Sequence, residues 1–184
     1  MWTVLDMKDG FYQIRMKKED RHFTCMSTPL GVYQWIVMPM GLTNAPSIFQ
    51  RMMEWVLRDH QNADASIDDV IIGSTGDTQE EVFTNHVKDV KKVLNTLASN
   101  SILVSPKKAQ MFKTEVEFCG HILSEGKRCP ALGMLLAVKN WELPRTVTQL
   151  RRLLGLTNYY STYVKDYACM AGLLTSKLQL NRED

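Results

Sequence analysis

A chain of 184 residues can bury one sizeable core or two small ones, and 45% hydrophobic with 23% charged residues is ordinary globular composition. No apolar run reaches bilayer length and no basic-then-apolar leader opens the chain, so neither a membrane span nor secretion is expected, and an intracellular, soluble protein is. Net charge is only +2, yet nine Lys or Arg stand against four acids between Lys107 and Arg152, a polarity that suits either a gripped polyanion or a solvated surface.

Trp2 to Leu5 read as a short apolar strand delivering Asp6 at its end, after which Met7 to Phe11 turn into a helical segment. His22 to Thr28 and Val32 to Val37, rich in aromatic and β-branched residues and split by Pro29-Leu30-Gly31, predict a β-hairpin that extends a sheet. Asn44 is placed as an N-cap with Pro46 in the first turn, and Ile48, Phe49, Met52, Met53, Val56 and Leu57 recur at helical spacing. The methionines on that stripe read as core filling rather than ligands.

Ala63 to Ile72 hold two adjacent acids, Asp68 and Asp69, inside a run able to form two buried strands. Most such pairs sit in solvated hairpin turns; buried carboxylates side by side stay charged only if a cation or strong donors compensate them. Val82 to Leu97 predict a second long amphipathic helix, on which His86 is expected at a boundary, ligating nothing, followed by a short strand at Ile102 to Val104.

Ser105 to Lys108 begin another helical turn, and Val116 to Leu123 read as one strand ending in a hairpin near Glu125-Gly126-Lys127. Pro130 to Trp141 predict one helix, and Thr146 with Gln149 form a capping box that opens the next; the domain change is expected near 125 to 130. The polar tail from Leu178 to Asp184 is expected to fray. Cys25, Cys119, Cys129 and Cys169 lack zinc or disulfide spacing.

This order predicts an α+β fold, an antiparallel sheet packed on helices along one face with the other face free for a ligand. If their strands are neighbours, Asp6, Asp68 and Asp69 converge as a hard-oxygen cluster suited to Mg²⁺ and not to zinc. Two such ions, about 4 Å apart, would serve phosphoryl transfer.

Leu5-Asp6, Met38-Pro39-Met40-Gly41-Leu42-Thr43-Asn44-Ala45-Pro46, Ile67-Asp68-Asp69, Phe118-Cys119-Gly120-His121 and Leu153 to Tyr160 occur in an order and spacing that resemble a reverse transcriptase, most closely that of Ty3/gypsy-type long-terminal-repeat retrotransposons. The resemblance implies a right-hand polymerase, with 1 to 123 as palm and partial fingers and 124 to 184 as a mainly helical thumb and the start of a connection. It implies an RNA-directed DNA polymerase core that uses two Mg²⁺ ions, with Mn²⁺ as the alternative, and takes a primed RNA or DNA template and deoxynucleoside triphosphates as partners, with no membrane.

Carried over, Asp6, Asp68 and Asp69 are the metal-binding catalytic acids. The backbone of Met7, Lys8, Asp9 and Gly10 meets the triphosphate, Phe11 gates against a ribose 2′-hydroxyl, and Met40 and Gly41 shape the pocket under the incoming base. Phe11 has core packing as its lesser alternative, and Lys108, aligned with a pyrophosphate-protonating lysine, reads equally as a solvated cation. Phe118, Cys119 and Gly120 match the primer grip, and the helices around Lys139 to Arg152 would track the duplex by phosphate contacts.

Ser66 departs from the family's aromatic residue before the acid block. The chain also starts five residues before Asp6, so the family's preceding fingers segment is expected to be missing, leaving apolar surface for self-association or a polyprotein partner. No ribonuclease H, protease or integrase signature follows. These departures sustain an alternative, a catalytically inactive remnant that only binds primer-template; a metal-dependent nuclease has no use for an aromatic gate.

Overall fold

The structure, a computed structural model, describes residues 1 to 180; the last four residues of the tail expected to fray lie outside the described residues. The chain divides into two compact units, Met1–Cys119 and a second beginning at Gly120, so the break precedes the expected change at 125 to 130. Among the described residues no helix is long and apolar enough to cross a membrane.

The first unit is built on a four-stranded antiparallel sheet. Strands β1 (Trp2–Asp6), β4 (Ala63–Ser66), β5 (Asp69–Gly73) and β6 (Gln110–Lys113) lie in the order β4-β5-β1-β6. Between β1 and β4 come the small hairpin β2 (Met26–Thr28) and β3 (Gly31–Tyr33), then helix α1 (Ala45–Leu57); helix α2 (Gln79–Ser99) follows β5, and β7 (Val116–Phe118) ends the unit.

Strand parity decides which side is core. Thr3 faces Ile72 and Leu5 faces Val70 across the β1–β5 ladder, and Leu5, Val70 and Ile72 join Phe49, Met53, Val56 and Leu57 of α1 and Val90, Val93 and Leu97 of α2 in one apolar cluster. Trp2, Val4, Asp6, Asp69, Ile71 and Gly73 therefore share the opposite face, away from the helices. There the Trp2 ring lies where a side chain at Gly73 would stand.

His86 is fully buried, not at a boundary. Ser74 Oγ donates to Asp89 Oδ2 at 2.6 Å, so it accepts from His86 Nδ1–H at 2.9 Å, and His86 Nε2 accepts from the Thr3 hydroxyl at 2.7 Å. One neutral tautomer thus ties β1 and β5 to α2. Burial holds the imidazole below its ordinary value of 6.5, with a nearby ammonium adding to the effect and Asp89 opposing it.

Other expectations need correction. The hairpin is shorter than the apolar pattern, because Lys18–Thr24 form a 3-10 helix, and β2 and β3 make a separate two-stranded sheet instead of extending the main one. Asn44 sits at the N-cap of α1 without a side-chain cap; its carbonyl serves the first turn, accepting from Ile48 N–H. The strand at Ile102 to Val104 reduces to a bridge between Met7 and Val104, and Ser105 to Lys108 form a single turn. Strand β6, four residues long and mostly exposed, sets Met111 beside Phe112 and so carries no alternation by which to read it.

In the second unit β8 (His121–Ser124) pairs with β9 (Lys127–Pro130), and α3 (Leu132–Lys139), α4 (Val147–Tyr159) and α5 (Tyr167–Leu180) follow. The run read as one strand from Val116 is broken at Cys119 and Gly120, both left-handed at φ 49° and 72°. Pro130 belongs to β9, and the helix expected from there to Trp141 is correspondingly short. The Thr146–Gln149 capping box opens α4 with both reciprocal bonds made. A sheet packed on helices and a mainly helical second unit agree with the expected α+β class.

Candidate active site

Asp6 ends β1 and Asp69 begins β5, and the ladder register sets them directly opposite each other. Asp68 occupies the two-residue loop between β4 and β5 and is exposed. Its carbonyl accepts from Met7 N–H at 2.8 Å, and the Asp6 carbonyl accepts from Ser105 N–H at 2.8 Å. The sheet therefore brings the three predicted acids to one end of its helix-free face.

Lys108, on the turn after Ser105, completes the cluster with its ammonium 3.1 Å from Asp6 Oδ2. Burial raises the Asp69 carboxyl above its ordinary value of 3.8, the charges of Asp68 and then Asp6 push it the same way, and Lys108 opposes them. Three carboxylates sharing one cation form an anionic site short of positive charge.

Among the described residues no three His, Cys, Asp or Glu side chains meet as a closed ligand set for a metal ion. The donor chemistry still fits a hard divalent cation: the carboxylates are all oxygen donors, the Asp69 carboxyl is raised by burial and by the neighbouring acids, and Asp6 has already recruited an ammonium.

The loop that carries Asp68 is strained. Ile67 has φ 56°, a left-handed conformation that costs a β-branched residue about 1–3 kcal/mol. Of the two loop residues only the first has positive φ, the pattern of a loop that ordinarily places glycine there. Sequence reading passed over Gln50 of α1, whose side chain reaches this loop: Oε1 accepts from Ile67 N–H at 2.7 Å and Nε2 donates to the Ala65 carbonyl at 3.0 Å. Its only sequence signal was a glutamine set between the apolar residues Phe49 and Met53.

After β1, Met7 is buried and Lys8 and Asp9 are exposed, with Asp9 at φ 58° and Gly10 at φ 33°. Met7 and Lys8 already donate their N–H groups, to Asp68 and Leu103 carbonyls. A side chain built on Gly10 would stand 3.8 Å from Asp68 Cβ, so this segment runs beside the acid loop. Gln13 reinforces it, accepting from Leu103 N–H at 2.7 Å and donating to the Leu103 carbonyl at 3.0 Å. Phe11 is half-buried and meets Phe49 edge to face, with centroids 5.7 Å apart.

Met40 is exposed and Gly41, at φ 93°, has open space around it. Phe118 ends β7 and Cys119 closes the first unit. Gly120 opens the second, where its carbonyl accepts from the Tyr160 hydroxyl at 3.3 Å. There His121 is buried, hydrogen-bonded through Nδ1 to Tyr163 at 2.9 Å and stacked on Tyr159 at 5.4 Å between centroids.

The family model described as reverse transcriptase (RNA-dependent DNA polymerase) matches residues 1–123. The retrovirus-related Pol polyprotein from transposon opus of Drosophila melanogaster is 36% identical over 95% of the chain, which spans 17% of that relative. The corresponding polyprotein from transposon gypsy is 34% identical over 97% of the chain and 17% of its own length. The enzymatic polyprotein of Cauliflower mosaic virus (strain NY8153) is 34% identical over 98% of the chain, and 26% of that polyprotein is covered.

Among solved structures, a foamy viral protease-reverse transcriptase in complex with double-stranded DNA superposes with a TM-score of 0.81 at 24% identity, over 95% of this chain and 30% of that one. The foamy viral protease-reverse transcriptase in complex with an RNA/DNA hybrid gives 0.79 at 23% identity, over 97% of this chain and 24% of that one.

Proposed function

The chain belongs to the reverse transcriptase (RNA-dependent DNA polymerase) family, and from that premise we propose that it is the polymerase core of a gypsy-type retroelement Pol polyprotein, adding deoxynucleotides to a primer on an RNA or DNA template. The observation that carries the proposal is Asp6 set opposite Asp69, with Asp68 in the adjoining loop, on the face of the sheet that the helices leave open.

Asp6, Asp68 and Asp69 would hold two Mg²⁺ ions, with Mn²⁺ as a substitute. When bound, such ions supply Lewis acidity to the attacking hydroxyl and to the departing phosphate oxygens. The remaining chemistry falls to the chain. Asp6 and Asp69, fixed by ladder register, hold charge at the reacting centre with little reorganisation. Lys108 carries a proton within 3.1 Å of Asp6 and is assigned delivery of that proton to pyrophosphate. Because Met7, Lys8 and Gly10 already donate their N–H groups to chain carbonyls, triphosphate contact rests on the Lys8 side chain and the backbone of Asp9, with Gly10 at φ 33° shaping the turn beside them. Phe11 is assigned the gate against a 2′-hydroxyl, and its edge contact with Phe49 makes the ring both gate and packing. Met40 and Gly41 are assigned to the base pocket.

We assign residues 1 to 123 to the palm with part of the fingers and 124 to 184 to the thumb and start of the connection, with Phe118, Cys119 and Gly120 as the primer grip. Binding to duplex is supported by the basic run from Lys107 to Arg152 and by solved relatives whose complexes contain double-stranded DNA or an RNA/DNA hybrid. A second reading, primer-template binding without catalysis, is favoured by one observation: Lys108 occupies Asp6 while the acids form no closed ligand set among the described residues.

Incorporation of dTTP on an oligo(dT)-primed poly(rA) template decides between them. Incorporation with Mg²⁺ or Mn²⁺ that is lost in the Asp68→Asn/Asp69→Asn double variant supports the polymerase. Salt-sensitive duplex binding by folded protein without incorporation supports the second reading and overturns the first.

A further inference from the structure

We propose that Gln50 is a positioning residue for the acid loop, its side-chain amide clamping the backbone around Ile67 so that this residue stays left-handed and Asp68 stays aimed. The inference rests on the polymerase reading for its catalytic consequence, and on the hydrogen bonds alone for its structural one.

The clamp has a defined orientation. Gln50 Oε1 accepts from Ile67 N–H at 2.7 Å, while the two hydrogens of Nε2 go to the Ala65 carbonyl at 3.0 Å and to Glu54 Oε1 at 2.9 Å. Turning the amide over would set NH₂ against the Ile67 N–H and a carbonyl oxygen against both the Ala65 carbonyl and the Glu54 carboxylate, so all three partners reject the flip. Helix α1 anchors the stem, since the neighbouring Phe49 is fully buried.

The clamped residue is one that needs holding. Ile67 adopts φ 56°, which a β-branched residue leaves readily unless its surroundings over-determine it. Its N–H and the Ala65 carbonyl bracket the end of β4, an edge strand with no β-strand neighbour on that side among the described residues. With nothing from a sheet to fix this edge, the fixing comes from a side chain. Relaxing Ile67 rotates the peptide into Asp68, whose carbonyl accepts from Met7 N–H and whose carboxylate lies beside Gly10. Gln50 touches no reacting group, so its effect belongs to geometry rather than to substrate affinity.

The experiment compares the wild-type chain with Gln50→Met, Gln50→Glu, Ile67→Gly and Gln50→Met/Ile67→Gly. It reads Ile67 amide exchange by NMR and dTTP incorporation on oligo(dT)-primed poly(rA). Gln50→Met is expected to speed Ile67 exchange by roughly tenfold or more relative to Val70. It should lower kcat by roughly ten- to a hundredfold, while KM for dTTP changes by less than about twofold. Gln50→Glu keeps the acceptor and loses the donor, so its Ile67 exchange should fall between wild type and Gln50→Met; should Gln50→Met fail to fold, the comparison of Gln50→Glu with wild type carries the exchange test. In the Ile67→Gly background, where glycine takes the left-handed conformation unaided, Gln50→Met should change kcat by less than about threefold.

Unchanged Ile67 exchange in Gln50→Met, or an equal fall in kcat in both backgrounds, overturns the proposal. If the wild-type chain incorporates nothing, the polymerase reading fails by itself, and Ile67 exchange still decides whether the clamp exists.

Discussion

Asp6 and Asp69 are cross-strand partners at the end of the β1–β5 ladder, so the two acids cannot separate without unzipping the sheet. Burial there, then the charges of Asp68 and of Asp6, raise the Asp69 carboxyl above its ordinary value.

Asp69→Asn should stabilise the metal-free protein. A carboxyl raised in the fold lends stability while protonated and loses it as pH rises through its folded value. Near pH 7 the substitution removes an ionised, poorly compensated charge, and the melting temperature should rise by roughly 1–3 °C, with the gain vanishing toward pH 4. Thermal melts from pH 4 to 8 without divalent ions measure it; a fall in melting temperature near pH 7 rejects the electrostatic account.

Lys108→Ala should cost little stability, under about 1 kcal/mol, because its side chain is 69% exposed and such ion pairs are screened. Incorporation should nevertheless fall roughly a hundredfold if this lysine delivers a proton to pyrophosphate. Single-turnover rates with denaturant melts separate the two effects. A normal rate would return Lys108 to the role of a solvated counter-ion.

Phe11→Val should admit ribonucleotides, lowering discrimination between dTTP and UTP by roughly tenfold or more. It should also cost about 1–2 kcal/mol through the lost edge contact with Phe49. Competing incorporation of the two nucleotides tests the gate, and lost stability with unchanged discrimination would leave packing as the only role.

His86→Ala should destabilise the first unit by about 3 kcal/mol, since it empties a fully buried site and strips partners from Thr3 and Ser74. The wild-type group also sets an acid limit. A histidine held neutral below 6.5 contributes stability that is complete above that value and is lost as pH falls through its folded value. Melts between pH 5 and 8 should show an acid-side slope that His86→Ala flattens.

Gly120→Ala should destabilise the second unit by about 1–3 kcal/mol, because φ is 72° and a Cβ would stand 2.7 Å from the Tyr160 hydroxyl. Tyr160→Phe in the same chain should recover part of the loss. If Gly120→Ala melts like wild type, the close approach is not constraining.

Much of this site was legible because its signals are local. An apolar strand ending in Asp6, two acids between strand-forming runs, and long stripes at helical spacing each announce themselves within a few residues, as does the Thr146–Gln149 capping box. What escaped is non-local or unpatterned. Strand β6 is only four residues long, mostly exposed and has its two apolar residues adjacent, so pairing with β1 leaves no alternation in its sequence. His86 occupies an apolar stripe position, and periodicity cannot distinguish a boundary imidazole from one whose two nitrogens are both satisfied inside the core. The hairpin residues from His22 to Val37 have the composition of long strands, yet His22 to Thr24 end a 3-10 helix and only Met26–Thr28 and Gly31–Tyr33 pair as strands. A β-branched residue gives no hint that it will be left-handed, so Ile67, and with it Gln50, becomes visible only once the backbone is known.

The position of β1 between β5 and β6 also has a bearing on synthesis. On the ribosome this strand emerges before either neighbour, and both of its edges stay unsatisfied while dozens of further residues are made. Trp2 to Leu5 thus form a sticky segment awaiting later partners, and the acid pair exists only after β5 has paired with β1. A nascent chain halted before β5 would hold half of the site and no way to assemble it.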